Sequence, residues 1–424
     1  MLKFAKSNII HNSVTAKFFY LNARSKMRKS TMEHGIVREW KSNPYYPNYQ
    51  KKVDETEITI MSYNILAQDL IVKHPYLYKS HDRYHLEYAI RSERLFNEMK
   101  VVRPDILCLQ EMQATHLMDF KVKCFSIDLH EVIFKKRTQA DLTDGCAIFY
   151  NSDIMELVAE QSVEYFQPNV SVLNRPNVAI IAKFRLKTNP ASEIVIATTH
   201  LLYNPRRQDV RLAQVQLLLS EIDRIAFRGE NEQHQVEYSP VILTGDFNFQ
   251  PGSAPHTLIT NGHLAYGALN RRLQFPQTNE ETFGNELLPT RLGVTDDCRH
   301  FNRKQSMLNR SEHQRDENEN DMKNTTAPFK SGLLTHQLNL RSVYDDRTSA
   351  STFQNCWGLV DYIFYRKEQT PAHGLVEKNL KLMARFELPT LQQCFYYLPF
   401  GGIPNASQGS DHFSLAAKFL LSPS

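Results

Sequence analysis

The sequence lacks any apolar run that could cross a membrane as a helix. Its 424 residues are 42% hydrophobic, yet no segment approaches the roughly 20 uninterrupted apolar residues that such a helix needs. The six cysteines show no C-x-x-C spacing, and several lie within apolar segments, which indicates reduced thiols. A repeat of solenoid length is also missing. These absences predict a soluble intracellular protein, cytoplasmic unless its leader directs it elsewhere.

Most of the chain carries no large excess of either positive or negative charge. The formal net charge is +4, but seven basic residues precede the first acidic residue, Glu33, and the remainder carries −3. Any contact with nucleic acid therefore depends on a local patch. The composition of the basic leader favours a disordered tail, and it is also compatible with an organelle transit peptide that would direct mitochondrial import. We predict that residues 1–57 form a flexible leader and linker.

Alternation of strands and helices begins after this linker. Apolar alternation in TEITIMSYNILA predicts a first strand from about Ile58, with Asn64 at its end. Residues 86–102 have helical spacing, and Pro104 ends that pattern. The runs ILCL and VILT indicate strands buried on both faces. We therefore predict one layered α/β domain over 58–422, interrupted by a disordered polar insertion at about 302–328.

Polar residues follow several of these apolar strands. The segments are LCLQEM, IATTHL, TGDFN, GLVDYIFY and GSDHFSL, and they carry Glu111, His200, Asp246, Asn248, Asp361, Asp411 and His412. Hydrolysis of a phosphate ester needs carboxylates to hold a hard cation, together with a group that handles protons. The sequence supplies both kinds of group at strand ends, so we predict that these residues converge on one site.

Each of these residues also has a structural interpretation. Glu111 is a carboxylate of the kind that magnesium prefers, or a solvated residue at a strand end. Asp246 and Asn248, two apart on an extended segment, face the same side, or simply form a turn. His412 alone would be interpreted as a structural histidine. Asp361 lies in an apolar strand, where burial of an unpaired carboxylate costs free energy, so it is a candidate to orient His412 and raise its affinity for protons.

The segment after His200 predicts a helix. In LLYNPRRQDVRLAQ, Asn204 is a candidate N-cap and Pro205 a candidate first helical residue. The free amides of the first turn, with Arg206 or Arg207, would then bind an anion beside His200. Alternatively, both arginines are solvated.

The ordered motifs resemble those of the endonuclease/exonuclease/phosphatase superfamily. The motifs are SYNILAQ, LCLQEM, TTHLLYNP, GDFNFQP, VDYIFY and SDHFSL, and they span about residues 58–421. Within the superfamily they are similar to the deadenylase-like branch that contains nocturnin and the Angel proteins. The runs SYNILAQDL, TTHLLYNPRRQDVRLAQ and LTHQLNLRSVY are most similar to Angel.

This resemblance implies a fold and a set of roles. The fold would be a four-layer αββα sandwich of two face-to-face mixed β-sheets flanked by helices, as in DNase I. One or two Mg²⁺ ions, or Mn²⁺, would sit at one end of the sheets. The implied roles are Glu111 as metal ligand, Asn64 in the metal shell, Asp411 near the metal, Asp246 for the attacking water, Asn248 on the phosphate, His200 and His412 at the scissile phosphate, and Asp361 orienting His412.

The resemblance leaves the substrate open between two chemistries at single-stranded RNA 3′ ends. One is a magnesium-dependent 3′-exonuclease, and the other is a 2′,3′-cyclic phosphatase. Phe249, Tyr203 or Trp357 would stack on a terminal base, or pack in the core. The alternatives are a catalytically silent RNA- or protein-binding module and a phosphatase of small nucleotides or lipid head groups. We expect a monomeric catalytic domain, with mRNA-regulatory proteins as candidate partners.

Overall fold

A computed structural model describes most of the chain. The described residues are 36–232, 235–269, 284–301, 329–353, 356–370, 372–398 and 402–423. The predicted insertion at 302–328 and the first 35 residues of the predicted leader lie outside them. One compact unit extends from Arg38 to Ser424. Within the described ranges, none of the helices combines the length and the hydropathy that a membrane span requires.

The strands alternate with helices along most of the chain. In chain order the strands are β1 Trp40–Ser42, β2 Thr56–Asn64, β3 Ile106–Gln113, β4 Glu131–Lys136, β5 Asp144–Tyr150, β6 Met155–Glu164, β7 Val178–Leu186, β8 Glu193–His200, β9 Phe227–Glu230, β10 Val236–Tyr238, β11 Val241–Asp246, β12 His263–Ala265, β13 Leu333–Thr335, β14 Leu340–Ser342, β15 Thr352–Phe353, β16 Trp357–Gly358, β17 Asp361–Arg366, β18 Glu368–Thr370, β19 Gly374–Val376, β20 Leu380–Phe386 and β21 Leu415–Leu421.

The α-helices are fewer and include one long helix. They are α1 Gln68–Lys73, α2 Tyr88–Val102, α3 Leu117–Phe125, α4 Gln208–Ala226, α5 Ala254–Asn261 and α6 Leu391–Tyr397. Short 3₁₀ helices lie at Pro75–Tyr78, Arg83–Leu86, Ala114–His116, Ser171–Leu173 and Thr290–Leu292. The helix predicted over 86–102 is therefore present as α2. It ends at Arg103, which has a positive φ of 49°, directly before Pro104.

Two large mixed sheets form the centre of the fold. The first has the order β1-β20-β21-β2-β3-β5-β4, and the second has the order β14-β17-β11-β8-β7-β6. Strands β2 and β3 run parallel, as do β8 and β11, while the other pairs are antiparallel. Two-stranded ribbons, such as β9 with β10, complete the strand set.

The sheets face each other, and helices cover their outer faces. The side-chain amide of Gln110 on β3 donates to Ser62 on β2 (3.2 Å) and to Thr198 on β8 (2.9 Å), so it links the two sheets. On the outer face of the first sheet, the apolar residues of α2 and α3 form one core with those of β2 and β3. Helix α4 packs on β7 and β8. The predicted four-layer αββα sandwich is confirmed.

The domain begins earlier than the sequence indicates. Strand β1 pairs with β20 at the edge of the first sheet. The guanidinium of Arg38 forms a buried ion pair with Glu98 (2.7 Å) and donates to the backbone of Ser414. Because these contacts join residues 38–42 to the first sheet and to α2, residues 38–42 belong to the domain and not to the flexible linker predicted up to residue 57. The strand has only three residues, WKS, and two of them are polar, so it shows no apolar alternation in the sequence.

Gly245 on β11 is required by the close approach of β8. Its φ is +145°, and a Cβ atom added there would lie 2.1 Å from the carbonyl oxygen of Thr199. We expect Gly245→Ala to lower the free energy of unfolding by at least about 3 kcal/mol, because strain and steric overlap add. The matched control is Gly252→Ala, at a φ of +79° with open space around it, which should cost about 1–2 kcal/mol. Equal losses in denaturant titrations of the two variants would contradict this reading.

Candidate functional site

The central strands of both sheets end at one edge of the sandwich. Register pairs Asp246, the last residue of β11, with His200 at the end of β8 on one side and with Asp361 at the start of β17 on the other. Three of the predicted residues are therefore lateral neighbours. This arrangement arises because β17 runs antiparallel to β11, so its first residue lies beside the last residue of β11.

Asn64 connects the two sheets at this edge. Its amide nitrogen donates to Glu111 Oε1 (2.9 Å) and to Asp246 Oδ2 (3.0 Å), while its Oδ1 accepts from the Leu66 amide (3.1 Å). The structure thus places Asn64 beside Glu111, as the resemblance implies. However, its N–H side faces the two carboxylates, so the amide holds them at a fixed separation.

Glu111 points into the site because β3 is irregular there. The pairing of β3 with β5 shifts register between Leu109 and Met112, and Glu111 has a φ of +59°. Its Oε2 accepts from the Ala67 amide (2.9 Å). Burial raises the pKa of Glu111 to about 7, and the nearby negative charges of Asp411 and Asp144 contribute in the same direction. This buried carboxylate would be stabilised by a cation.

Asp246 is buried among two imidazoles and a second carboxylate. Its Oδ2 lies 3.5 Å from His200 Nε2 and 3.8 Å from His412 Nε2. Burial raises its pKa to about 6, as does the charge of Asp361, although both histidines oppose the shift. Burial lowers the pKa of His200, which makes His200 the neutral member of this group near pH 7.

Asn248 lies in the turn that follows β11, and this turn sets its backbone conformation. It has a φ of +54°, and its backbone N–H donates to Asp246 Oδ1 (2.9 Å). Its side-chain nitrogen donates to the carbonyl of Leu201 (3.0 Å). Asn248 therefore ties the end of β11 to the segment after His200.

His412 forms a buried pair with Asp361. The distance from Nδ1 to Asp361 Oδ2 is 2.8 Å, and each side chain is only 4% exposed. Burial alone would lower the pKa of His412, but the carboxylate of Asp361, with Asp246 and Asp411, raises it well above its ordinary value. The imidazolium consequently donates through Nδ1 to Asp361 and presents Nε2 to Asp246.

Asp411 lies at the same edge, where a tyrosine that the sequence did not indicate contacts it. Tyr78 donates its hydroxyl proton to Asp411 Oδ2 (2.8 Å), and Asp411 Oδ1 is 4.0 Å from His412 Nε2. Tyr78 belongs to the 3₁₀ helix Pro75–Tyr78. The stretch HPYLYKS around it carries no pattern that separates this residue from the neighbouring Tyr76.

The donor atoms at this edge fit a hard divalent cation. Asp246 and Asp361 each offer an oxygen within 4.8 Å of the other, and Glu111 is linked to Asp246 through Asn64. His412 lies in the same cluster, but as an imidazolium it has no lone pair to offer a cation. Carboxylate oxygens are the ligands that Mg²⁺ takes in proteins, usually one or two at a time. Two buried carboxylates with raised pKa values are a set that a cation would stabilise in the ionised form.

Among the predicted aromatic contacts, only Tyr203 is available to a ligand. Phe249 is 1% exposed and packs on Phe247, with 5.2 Å between ring centroids, and on Tyr362, at 5.4 Å. Trp357 is 5% exposed and stacks on Phe413. The prediction that Phe249 stacks on a base is therefore wrong, since its ring belongs to the core. Tyr203 is 50% exposed.

The helix predicted after His200 begins later than expected. Helix α4 starts at Gln208, and Asn204 instead accepts from the Arg206 amide (3.0 Å) in a turn. Arg207 is paired with Asp209 (2.8 Å), so its charge is already matched by its own helix. The prediction that Arg207 and the first turn of this helix form an anion site beside His200 is therefore corrected. Arg206 remains an exposed cation.

Two buried arginines that the sequence analysis missed hold the loops of the site. Arg211 donates to the carbonyls of Leu202 (2.8 Å) and Asn204 (2.7 Å). Arg91 on α2 donates to the carbonyls of Ile65 (3.0 Å) and Gly409 (3.1 Å), which joins the loops next to Asn64 and Ser410. The available signal was an arginine on the apolar face of an amphipathic helix.

Comparison with known proteins points to one family. The model of the Endonuclease/Exonuclease/phosphatase family matches residues 61–412. Protein angel homolog 2 of Homo sapiens is 32% identical over 400 residues, which are 88% of this chain and 71% of that protein. Protein angel of Drosophila melanogaster is 30% identical over 423 residues, which are 98% of this chain and 96% of that protein.

Solved structures agree with these matches. The crystal structure of ANGEL2, a 2′,3′-cyclic phosphatase, superposes with a TM-score of 0.71 at 30% identity, and covers 92% of this chain and 99% of that chain. A second ANGEL2 structure, in complex with adenosine-2′,3′-vanadate, also gives 0.71 at 30% identity, over 91% of this chain and 99% of that one. The human Nocturnin catalytic domain gives 0.51 at 19% identity, over 90% and 97%, and shares the fold.

Proposed function

The chain belongs to the endonuclease/exonuclease/phosphatase family, and from that premise we propose that it is a magnesium-dependent 2′,3′-cyclic phosphatase acting on RNA 3′ ends. Hydrolysis of phosphate esters is the chemistry common to the ANGEL2 structures and this site. The observation that carries the proposal is the convergence of Glu111, Asp246 and the Asp361–His412 pair on one edge of the sandwich.

The cation site of this proposal consists of buried carboxylates. Glu111 would hold the ion, and Asp246 and Asp411 lie close enough to contribute through their oxygens or through water. When bound, Mg²⁺ would neutralise charge on the phosphoryl oxygens and orient the phosphate. Asn64 donates to both Glu111 and Asp246, so these two carboxylates are held near each other, which supports their assignment to one cation.

The remaining residues handle the water and the leaving oxygen. Asp246, next to His200 and His412, would orient and activate a water molecule for attack on phosphorus. One P–O bond to that water forms while the P–O bond to a ribose oxygen breaks. The proton of the water passes to the ionised carboxylate of Asp246, and the ribose oxygen takes up a proton. The protonated His412, held by Asp361, is the donor suited to this transfer. A second hydrolysis of the resulting monoester would release inorganic phosphate and leave a terminal diol.

A comparison of three labelled RNAs tests the proposal. The RNAs end in a 2′,3′-cyclic phosphate, in a plain 3′-phosphate, or in an adenosine tract with a free 3′-hydroxyl. We expect the cyclic-phosphate RNA to keep its length and gain a terminal diol in the presence of Mg²⁺. EDTA should abolish the reaction, and added Mg²⁺ or Mn²⁺ should restore it.

The other outcomes identify the competing functions. Release of adenosine monophosphate from the adenosine tract would assign a 3′-exonuclease. Binding of RNA without any product at either cation would assign a silent module. Conversion of only free nucleotides or lipid head groups would place the substrate outside RNA. Each of these results would overturn the proposed activity.

A further inference from the structure

A tyrosine hydroxyl restrains one of the carboxylates of the proposed cation site. Tyr78 donates its hydroxyl proton to Asp411 Oδ2 (2.8 Å). Tyr78 is buried, at 9% exposure, and its ring belongs to a small apolar cluster with Leu66, Ile71 and Leu86. The hydroxyl therefore reaches Asp411 from a ring that is itself held by packing.

The backbone of Asp411 is held separately from its side chain. The Thr352 hydroxyl donates to the Asp411 carbonyl (2.8 Å), and Thr352 pairs with His412 in an isolated β-bridge. The backbone N–H of His412 donates to the Ser410 hydroxyl (3.2 Å). These bonds do not involve Asp411 Oδ2, so loss of the Tyr78 hydroxyl would free the carboxylate to rotate and would leave the main chain in place.

The second carboxylate oxygen of Asp411, Oδ1, lies on the side of His412. The distance from Oδ1 to His412 Nε2 is 4.0 Å. The Ser410 hydroxyl is 3.4 Å from Oδ1, but a hydroxyl has one proton to donate, and the carbonyl of Asn64 accepts it at 2.6 Å. Oδ1 consequently keeps its lone pairs for another partner.

We propose that Tyr78 is a positioning residue that acts through Asp411. By holding Oδ2, it restricts Asp411 to binding a cation through Oδ1. This inference rests on the proposed function, because it assumes that the site binds Mg²⁺. The small Mg²⁺ ion demands near-ideal octahedral geometry, whereas Ca²⁺ accepts more oxygens and carboxylates that bind through both. A carboxylate restricted to one oxygen therefore favours Mg²⁺.

Calorimetric titration of the metal-free protein with Mg²⁺ and with Ca²⁺ tests this role without any turnover. Tyr78→Phe keeps the ring in its apolar cluster and removes only the hydroxyl. We expect its Kd for Mg²⁺ to rise about 10- to 100-fold, the range for loss of an outer partner of a metal ligand. The Kd for Ca²⁺ should change much less, because the freed carboxylate can offer both oxygens to the larger ion.

A double-mutant cycle shows whether Tyr78 acts through Asp411. In the Asp411→Asn background, adding Tyr78→Phe should alter the Kd for Mg²⁺ by less than about twofold, because the carboxylate that the hydroxyl orients is already gone. The matched control is Tyr88→Phe. The Tyr88 hydroxyl also donates to an aspartate, Asp119 (2.9 Å), which joins α2 to α3, and its removal should leave both Kd values unaltered.

Three results for the variants would overturn the positioning role of Tyr78. They are an unchanged Kd for Mg²⁺ in Tyr78→Phe, an equal loss of affinity for Mg²⁺ and Ca²⁺, and a full effect of Tyr78→Phe in the Asp411→Asn background. Absence of Mg²⁺ binding by the wild type would overturn it as well. Failure of the wild type to hydrolyse a cyclic phosphate would overturn only the proposed activity, because the titrations contain no RNA.

Discussion

Replacing Glu111 with Gln is expected to reduce kcat by more than about a hundredfold, since even an outer partner of a metal ligand contributes 10- to 100-fold. The substitution removes the charge that would hold the cation. It also places an amide against the N–H donors of Asn64 and Ala67, which now donate to the two carboxylate oxygens at 2.9 Å each. Isothermal titration with Mg²⁺ and single-turnover hydrolysis would measure both losses.

The stability of Glu111→Gln relative to the wild type is also expected to depend on pH. Burial raises the pKa of Glu111 to about 7, so its contribution to stability is present at low pH and is lost as pH rises through that value. In metal-free buffer, the melting temperature of Glu111→Gln relative to the wild type should therefore improve between pH 5 and pH 8. Glu131→Gln, at an exposed position on β4, should show no such trend.

Two results would contradict these expectations. Wild-type turnover in Glu111→Gln would remove Glu111 from the metal site. A pH-independent difference in melting temperature would mean that the carboxylate is not destabilised by burial. Because the first readout concerns catalysis and the second concerns folding, they test the site in independent ways.

Replacing His412 with Gln is expected to lower kcat by about 10²- to 10⁴-fold, the range for loss of a positioned proton donor. A substitution of Asp361, the partner of His412, tests the protonation of the imidazole separately from its presence. Asp361→Asn keeps the imidazole but removes the carboxylate 2.8 Å from Nδ1 that raises the pKa of His412. With the ring still buried, that pKa should fall, so the alkaline limb of the pH–rate profile should move to lower pH.

The control for this pair is a second histidine with an acidic neighbour. His130 lies 3.8 Å from Asp153, and its backbone N–H donates to Tyr150 at the end of β5, opposite to the Asp144 end that pairs with Gln113 near the site. His130→Gln should therefore keep both the rate and the pH profile. An Asp361→Asn profile that superposes on the wild type would show that the carboxylate does not set the protonation of His412.

The fold class could be inferred from local patterns because buried strands leave a strong signal. ILCL and VILT are apolar on both alternations, and both lie in central strands buried on both faces. Helix α2 was predicted to within two residues, since Pro104 and the helical spacing define it. Strand β1 was missed because its three residues, WKS, gain order only by pairing with β20.

The sequence alone determined the chemical types at the site: carboxylates, an amide and imidazoles at the ends of apolar strands. Their meeting at one edge was decided by the tertiary structure, because register between β8, β11 and β17 sets which residues become neighbours. The same holds for Tyr78, Arg91 and Arg211, whose partners lie elsewhere along the chain or on loop carbonyls. The burial of Phe249 was also decided there, because the packing of distant aromatic rings around a side chain leaves no trace in the local pattern.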